Sequence, residues 1–349
     1  MDWGRGYTSL WRVFRVDTST WADGSEVRGV TSVSVERNDG STDQLMESGS
    51  FTVDTATTDR FEPGYYRVVL YPQQNGIADR VDVTTLYCQS GHGDTAKGRT
   101  SHSVTGDSTL YPASVAKLAT GSYFPEGAGC MRESARMLAS CVAAPVSVDS
   151  ESDPVLSQNV VYDDGTTVLE AVRLVLDSCG CVIQVHGDGS VHLLRRPVEP
   201  SLVLDRANAR MLEPNVSYDY DLSDVPNRYY ARQGEYLEVA VNDDPNSEVS
   251  TVTRGYAHDE YDGSAVRVDG ETLYGYACRM LEERSVVQDK RTYTRKWWPD
   301  VYPGDVVRGS MPSVGLDGDL RVIRQSLDCG HGIRVTEESA KEARLWTRR

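Results

Sequence analysis

Apolar and polar positions alternate over most of the N-terminal part of the chain. This period of two is typical of strands with one buried face, and Asp-Gly and Asn-Asp-Gly-Ser turns separate several of these segments. The predicted strands run from Leu10 to Val16, Thr31 to Arg37, Ser50 to Asp54, Tyr65 to Tyr71 and Arg80 to Tyr87. We expect a β-meander that forms a small barrel or a curled sheet.

The pattern changes in the middle of the chain. From Gly91 to Gly129 the sequence is polar with little periodicity, so we expect a long surface excursion. Apolar spacing typical of helices follows from Met131 to Cys141 and again from Thr167, where Glu170 is placed for a capping box. Residues 181–195 then read as two short strands joined by a turn, which predicts a hairpin.

The last part of the chain returns to strand patterns around one helix, whose apolar stripe runs from Leu273 to Leu281. The predicted strands are Leu202 to Leu204, Asn215 to Tyr220, Asn227 to Arg232, Tyr236 to Val241, Arg291 to Trp298, Asp305 to Met311, Leu320 to Leu327 and Ile333 to Thr336. The basic end, Arg344 to Arg349, is interpreted as a frayed tail or a docking segment.

Two segments of the chain resemble each other, Pro63 to Gly91 and Pro303 to Gly332. Each reads as a Pro-Gly turn, a strand, a polar turn and a second strand. The matched residues are Pro63, Gly64 and Pro72 with Pro303, Gly304 and Pro312, then Arg80, Val81, Leu86, Cys88 and Gly91 with Arg321, Val322, Leu327, Cys329 and Gly332. The alternative is two unrelated hairpins that share turn residues. The matches inside the strands favour a repeat.

These patterns divide the 349 residues into three units. Residues 1–110 and 198–349 are β-rich, the second with one helix and the C-terminal tail, and residues 111–197 form an α+β unit between them. A chain of this length is large enough for several domains with separate cores. The predicted fold class is therefore α+β with a high β content.

The charge of the chain excludes some classes of partner. Lys and Arg number 36 and Asp and Glu number 52, which gives a net charge of −16. Such a field repels nucleic-acid phosphate and anionic membrane surfaces. No segment is long and apolar enough to span a membrane, and the N-terminus lacks the pattern of a secretory signal, so we expect neither.

The cysteines and histidines show no site pattern. The seven cysteines are scattered and odd in number, and Cys179 and Cys181 lack the two-residue spacer of zinc and redox motifs, so buried free thiols are the interpretation. The histidines show no ligand spacing beyond Cys88 with His92 and Cys329 with His331. The acidic pairs lie in turn contexts. We therefore assign no metal site, no cofactor and no acid–base pair.

Two short motifs resemble catalytic or phosphate-binding sequences. Ser114 and Lys117 form a Ser-x-x-Lys pattern like that of serine β-lactamases, and residues 157–159 could supply the second motif, but no Lys-Thr-Gly strand occurs. Gly93 to Thr100 resembles a phosphate-binding loop, with Arg99 in place of the lysine. No helix is predicted after it, so a flexible loop is the interpretation.

The repeated β-units around an α+β unit resemble the hub proteins of long-tailed bacteriophages, the tail hub or baseplate hub family. The strings that carry the resemblance are His102 to Ser108 leading to Tyr111 through Ser114, then Pro125 to Gly129, and Asp205 to Ala207 through Asp224 to Arg228. The resemblance covers nearly the whole chain, and its motifs are structural. It places the Ser-x-x-Lys pattern in a connecting segment of the hub.

The resemblance implies two similar tube-like β-barrel domains and a homotrimer with a pseudo-sixfold ring. Such a ring would join the sixfold tail tube to the threefold tip and enclose the DNA passage. The implied partners are other copies of the chain, the tail tube or distal tail protein, the tip spike or fibre protein and the tape measure protein. DNA would only pass through. The implied location is the virion tail tip after assembly in the host cytoplasm, without membrane insertion.

Adjacent large aromatics point to both faces of one strand, which indicates a core on one side and a subunit contact on the other. We assign the subunit interface to Trp297, Trp298, Pro303, Gly304 and Asp305. No catalytic role is expected, and no appended peptidoglycan-cleaving domain is expected after Arg349. The alternatives are a Ser-x-x-Lys hydrolase acting on peptidoglycan, which a fluorescent penicillin would label, and a carbohydrate-binding tail accessory, which would bind glycans as a monomer.

Overall fold

The computed structural model describes residues 1–3, 5–41, 43–55, 61–96, 99–205, 212–330 and 332–347. Parts of some predicted features lie outside the described residues, namely Lys97 and Gly98, Arg206 and Ala207, His331, and Arg348 and Arg349. No helix in the described ranges is long and apolar enough to cross a membrane. With 49% strand and 14% helix, the predicted β-rich class is confirmed.

The N-terminal residues form strands whose buried faces follow the predicted alternation. The strands are β1 Thr8–Val16, β2 Asp23–Val27, β3 Val30–Asn38, β4 Glu47–Thr55, β5 Gly64–Gln74, β6 Ile77–Ala78, β7 Val81–Ala96 and β8 Arg99–Asp107. In β3, for example, Val33 and Val35 are buried between exposed or half-buried neighbours and pack in a core with Phe51 and Leu86. This period-2 burial is what drives the sheet to form.

The prediction of a surface excursion after Gly91 is wrong for the first part of that segment. Residues up to Ala96 continue β7, and Arg99–Asp107 form β8, so this polar segment is a hairpin. Its side chains on β7 from Gln89 to Ala96 are all exposed. Because neither face of this part is buried, no apolar alternation marked it as a strand.

Residues that follow β8 form an α+β unit with its own core. Its elements are α1 Tyr111–Val115, β9 Tyr123–Phe124, α2 Cys130–Ala139, β10 Val146–Val148, β11 Val160–Val161, α3 Val168–Ser178, β12 Cys181–Val185 and β13 Val191–Arg195. The predicted capping box is present, since the Thr167 amide donates to Glu170 Oε2 at 2.7 Å and the Glu170 amide donates to Thr167 Oγ1 at 3.2 Å. The apolar face of α3 packs on a sheet in the order β10-β13-β12.

The C-terminal elements begin after residue 199. They are β14 Pro200–Leu204, β15 Leu212–Tyr220, β16 Arg228–Gln233, β17 Tyr236–Val241, α4 Thr251–Arg254, β18 Asp259–Asp262, α5 Leu273–Arg284, β19 Val286–Lys296, β20 Val306–Met311, a 3₁₀ turn Pro312–Val314, β21 Leu316–Cys329 and β22 Ile333–Arg344. A small sheet, β17-β16-β18, packs against α5 around Tyr229 and Tyr276. This second α+β layer is inserted in the sequence between β15 and β19, which pair directly with each other.

The N-terminal and C-terminal strands repeat one strand order. The first set runs β3-β4-β8-β7-β5 and the second β15-β19-β22-β21-β20, with antiparallel neighbours throughout. The similar sequence segments fall on β5–β7 and β20–β21, but their registers differ: Tyr66 faces Leu86, whereas Val306 faces Arg321. The two sets therefore share topology more closely than they share residue positions.

One strand pairing joins the two sets. β3 pairs antiparallel with β21, from Ser34 with Asp328 to Asn38 with Arg324, and the result is a single 14-stranded sheet. Within the described residues this sheet is open, with β15 at one end of its path and β2 at the other. No sheet is closed in the described part of the chain, so the two barrels expected from the sequence are not confirmed.

A buried polar network lies inside the C-terminal set. Glu337 forms an ion pair with Arg295, and both side chains are fully buried. Glu337 also accepts hydrogen bonds from Tyr293 Oη at 2.6 Å and Gln325 Nε2 at 2.9 Å. Burial raises the pKa of Tyr293 well above its usual value. The counter-ion and the hydrogen bonds offset the cost of burying this charge, while Gln325 Oε1 is buried without a hydrogen-bond partner.

Replacing Glu337 with Gln should destabilise the fold, because Arg295 would keep a buried charge without a counter-ion. The expected loss is about 3–5 kcal/mol. The midpoint of urea unfolding, followed by tryptophan fluorescence, measures it. Asp319→Asn breaks the exposed pair with Arg308 and serves as the control, with little change expected. Equal shifts in both variants would contradict this account of the network.

Candidate functional site at the interdomain junction

The turn between β12 and β13 inserts into the N-terminal part of the sheet. Its backbone carbonyls accept hydrogen bonds from side chains of that sheet and of the segment after it. The carbonyl of Asp188 accepts from Trp21 Nε1 at 2.9 Å and from Arg67 Nη2 at 3.0 Å. The carbonyl of Gly187 accepts from Thr85 Oγ1 at 3.0 Å. The turn is thus a fitted connection between two units.

Glycine is required at both flanking positions of this turn. A Cβ atom on Gly187 would lie 1.9 Å from the carbonyl oxygen of Asp82. Gly189 has a φ of +79°, and a Cβ there would lie 2.7 Å from Thr85 Cβ. Since the first neighbour is backbone, it has no rotamer that relieves the overlap. The sequence His-Gly-Asp-Gly-Ser therefore sets how close the α+β unit approaches the sheet.

The other side of the junction is a turn from the C-terminal set. Gln184 Nε2 donates to Asp305 Oδ1 at 2.8 Å and to the carbonyl of Pro303 at 3.3 Å. Asp305 Oδ2 also accepts from the Tyr302 amide at 2.9 Å, which closes the turn. Burial raises the pKa of Asp305. The Pro-Gly-Asp turn that stood out in the sequence therefore docks the second strand set onto the α+β unit.

Aromatic stacking links the same elements. The ring of His186 stacks on Tyr302 at 4.4 Å and on His192 at 3.7 Å between centroids. Burial lowers the pKa of His186 to about 4, from an ordinary value of 6.5. His192 Nδ1 pairs with Asp149 on its other side. The stack is thus neutral at His186 at ordinary pH, and a charge there would have to be desolvated.

A buried ion pair completes the junction. Arg37 at the end of β3 donates from Nε to Glu47 Oε1 at 2.8 Å, and from Nη2 to the carbonyl of Val83. Its guanidinium lies 5.1 Å from the centre of the Tyr302 ring. The side chains of Arg37 and Glu47 are only 2% and 1% exposed. One arginine therefore contacts both strand sets.

A cleft of about 820 Å³ opens where all the units meet. Its charged lining has both signs: Asp39, Asp177, Asp219, Asp221, Asp224, Glu260, Glu283 and Glu342 with Arg173, Arg196, Arg284, Lys290 and Arg321. Enclosure raises the pKa of Asp177. The described lining thus carries eight acidic and five basic side chains, so the charge of the cleft is mixed.

The five residues assigned to a subunit interface pack against other parts of the same chain. Trp297 is 2% exposed and meets Trp3 edge to face, with ring centroids 5.5 Å apart. Trp298 is half-buried and packs against the cores of both strand sets. The turn residues 303–305 are buried against the α+β unit. Their packing within the chain is an observation, and their role between subunits stays a prediction.

Ser114 and Lys117 of the Ser-x-x-Lys pattern make separate contacts. Ser114 Oγ donates to the carbonyl of Tyr111 at 2.8 Å, within the short helix α1. Lys117 is exposed and forms a backbone bridge to Thr167. A lysine base must lie within hydrogen-bond reach of its serine, and no such bond joins these two described residues. The pattern belongs to a connecting segment.

The other candidate chemistry is also accounted for by structure. The segment that resembles a phosphate-binding loop lies in the β7–β8 hairpin, and no helix follows its described part. Cys88 and Cys329 are buried, and burial raises the pKa of each thiol to about 12. Across the described ranges, no group of three or more His, Cys, Asp or Glu side chains could hold a metal ion.

The same fold occurs in solved phage tail proteins. A tail protein of Neisseria meningitidis superposes with a TM-score of 0.66, at 16% identity, over 97% of each chain. A 43 kDa tail protein of prophage MuSo2 from Shewanella oneidensis gives 0.63 at 12% identity, over 97% of this chain and 99% of that one. The chain has the fold of phage tail proteins.

A prophage tail protein of Listeria monocytogenes supports this assignment of the tail-protein fold. It has a TM-score of 0.52 at 12% identity, over 94% of each chain. The sequence matches no protein-family model and no curated protein. The similarity is therefore one of fold. It covers the large sheet, the α+β unit and the second α+β layer, and it supports the resemblance stated from the sequence.

Gly187→Ala should loosen the junction of this tail-protein fold, because the new methyl group would overlap the Asp82 carbonyl. We expect a loss of about 3 kcal/mol, the upper end for an overpacked core. Thermal unfolding measures this loss, and limited proteolysis detects cleavage in the segment that follows residue 108. The control is Gly6→Ala, since a Cβ at Gly6 meets nothing within 4 Å. If Gly187→Ala leaves both the cleavage pattern and the thermal midpoint unchanged, the account of a closely fitted turn is refuted.

His186→Phe should reduce the acid sensitivity of the fold while it retains the stack. Because the folded pKa of about 4 lies below the unfolded value near 6.5, the unfolded state binds the extra proton between them, and stability falls as the pH falls through this window. The thermal midpoint measured from about pH 7 to about pH 4.5 should therefore fall less in the variant. His92→Phe, at a position where the side chain is 78% exposed, is the control. An unchanged slope would exclude His186 as the titrating group.

Proposed function

We propose that the protein is a structural hub of a phage or phage-like tail. In this proposal three copies form a ring of six similar lobes, which connects the sixfold tail tube to the threefold tip. The observation that supports it is the repeated strand order, because one chain then supplies two lobes joined edge to edge. A trimer of such chains has the pseudo-sixfold symmetry that the tube requires.

The open sheet fits an assembly of copies. Sheet edges expose unpaired backbone groups, which proteins pair, cover or charge. Here β15 ends the path of the 14-stranded sheet on one side and β2 on the other. The barrel that the sequence led us to expect in each unit would, in this proposal, be completed by the ring as a whole.

The charge supports a passage for DNA. A net charge of −16 per chain gives the trimer a strongly negative field. A negative lumen would not retain DNA that slides through it, because phosphate and carboxylate repel each other. A neutral or basic inner surface in the assembled ring would contradict this part of the proposal.

The proposed partners follow from this position in the tail. They are the tail tube or distal tail protein on one side, the tip spike or fibre protein on the other, and the tape measure protein. DNA is in transit, and no insertion into a membrane is proposed. The protein would assemble in the host cytoplasm, reside at the virion tail tip, and act without catalysis.

Native mass spectrometry followed by averaged electron-microscope images tests the ring. Three copies of the 38.6 kDa chain give an expected mass of about 116 kDa. The images should show a pore surrounded by six similar lobes. A stable dimer, or a trimeric ring with three lobes, would contradict the proposal. The same measurement after mixing with purified tail-tube protein tests whether the trimer forms only in the presence of that protein.

A further inference from the structure

The intrachain joint between the two strand sets uses only part of one strand edge. β21 carries β22 along one edge. On its other edge, β20 pairs with Leu316 to Arg321, and β3 pairs with Arg324 to Asp328. The fourth strand of the second set thus holds two neighbours end to end, and the first strand of the other set is one of them.

The corresponding strand of the first set is β7. The part of its edge that matches the β3-binding part of β21 pairs with no strand in the described chain. β7 carries β8 along one edge, and on the other β5 pairs with Val81 to Cys88. β7 then continues from Gln89 to Ala96, where within the described chain β8 is its only paired strand. All of these residues are exposed. A strand edge is therefore open where β21 holds β3.

The strand that corresponds to β3 lies at the end of the sheet. β15 is the first strand of its set and pairs with β19, as β3 pairs with β4. The sheet path ends at β15. Ser217 is exposed, and Tyr218 is 78% exposed. The chain therefore contains both strands that a second joint would need. One is β15 of the second set, and the other is the open edge of β7 in the first set.

We propose that β15 of one copy pairs antiparallel with the segment from Gln89 to Ala96 of β7 in a second copy. This joint between copies would repeat the β3–β21 joint within the chain. Around the proposed trimer, intrachain and interchain joints would alternate, three of each. The inference rests on the proposed ring and names the strands that close it.

The intrachain joint indicates which forces hold such a contact. Its base is backbone pairing over β3 and β21, reinforced where Glu36 accepts from Ser326 Oγ at 2.6 Å and from Arg324 Nε at 3.2 Å. The hairpin tip beyond β21 is also held, because Trp11 Nε1 donates to the carbonyl of Gly330 at 3.0 Å. Backbone pairing does not depend on side-chain identity, so the same joint can form between strands of different sequence.

A competing joint would pair β15 with β2, the other end of the sheet. It would also close a ring, but it would make the joint between copies different from the joint within the chain. The observed joint places a first strand against the open edge of a fourth strand. Equivalence between lobes therefore favours β7 over β2.

Paired cysteine substitutions distinguish the two joints. Ser217→Cys or Tyr218→Cys, which cover both faces of β15, are each combined with Ser90→Cys, His92→Cys or Asp94→Cys on β7. Facing residues of an antiparallel pair lie close enough for a disulfide, and alternate residues share a face. After mild oxidation with copper phenanthroline, at least one combination should give disulfide-linked species up to a covalent trimer on a non-reducing gel. All these positions are exposed, so the core is unchanged.

The matched control combines Ser217→Cys or Tyr218→Cys with Ser25→Cys on β2, and each single variant gives the background from native thiols. Native mass is measured on every variant before oxidation. A trimer that crosslinks through Ser25, or through none of the β7 positions, would overturn the pairing and leave the ring intact. A protein that stays monomeric with and without tail-tube protein would overturn the ring and the pairing together.

Discussion

The pairing of β3 with β21 is the constraint on which the rest of the structure depends. It turns two strand sets with one topology into a single 14-stranded sheet. Side chains reinforce it across a long sequence separation, since Ser326 and Glu36 are 290 positions apart. Without this joint the chain would be two lobes on a linker, and their relative position would be set by the connecting units alone. The proposed ring uses the same joint again between copies.

The α+β unit is hydrogen-bonded to both strand sets. Its turn at Gly187 and Asp188 is held by the N-terminal set, while Gln184 on the neighbouring strand holds the turn at Asp305 of the C-terminal set. Buried hydrogen bonds and close glycine contacts have little freedom to adjust.

Local features of the fold were predictable from the sequence where one face is buried. The capping box at Thr167, the hairpin of β12 and β13, and the helix from Leu273 are present as predicted. The extension of β7 beyond Gly91 was missed, because this part of the strand has both faces in solvent and no apolar alternation. The junction was half visible: the Pro-Gly-Asp turn was singled out at position 303, but its partner Gln184 carried no signal.

The sequence by itself determined the β-rich class, the positions of most strands and helices and the negative charge, and it indicated a repeat whose strand order and register only the structure gave. These properties depend on side chains and their local order, which the chain displays directly. Only the tertiary structure decided that β3 pairs with β21, that Trp297 and the turn at Pro303 are buried within the chain, and that β15 ends the sheet. Strand edges join through backbone groups that every residue shares, so the sequence does not record which edges meet.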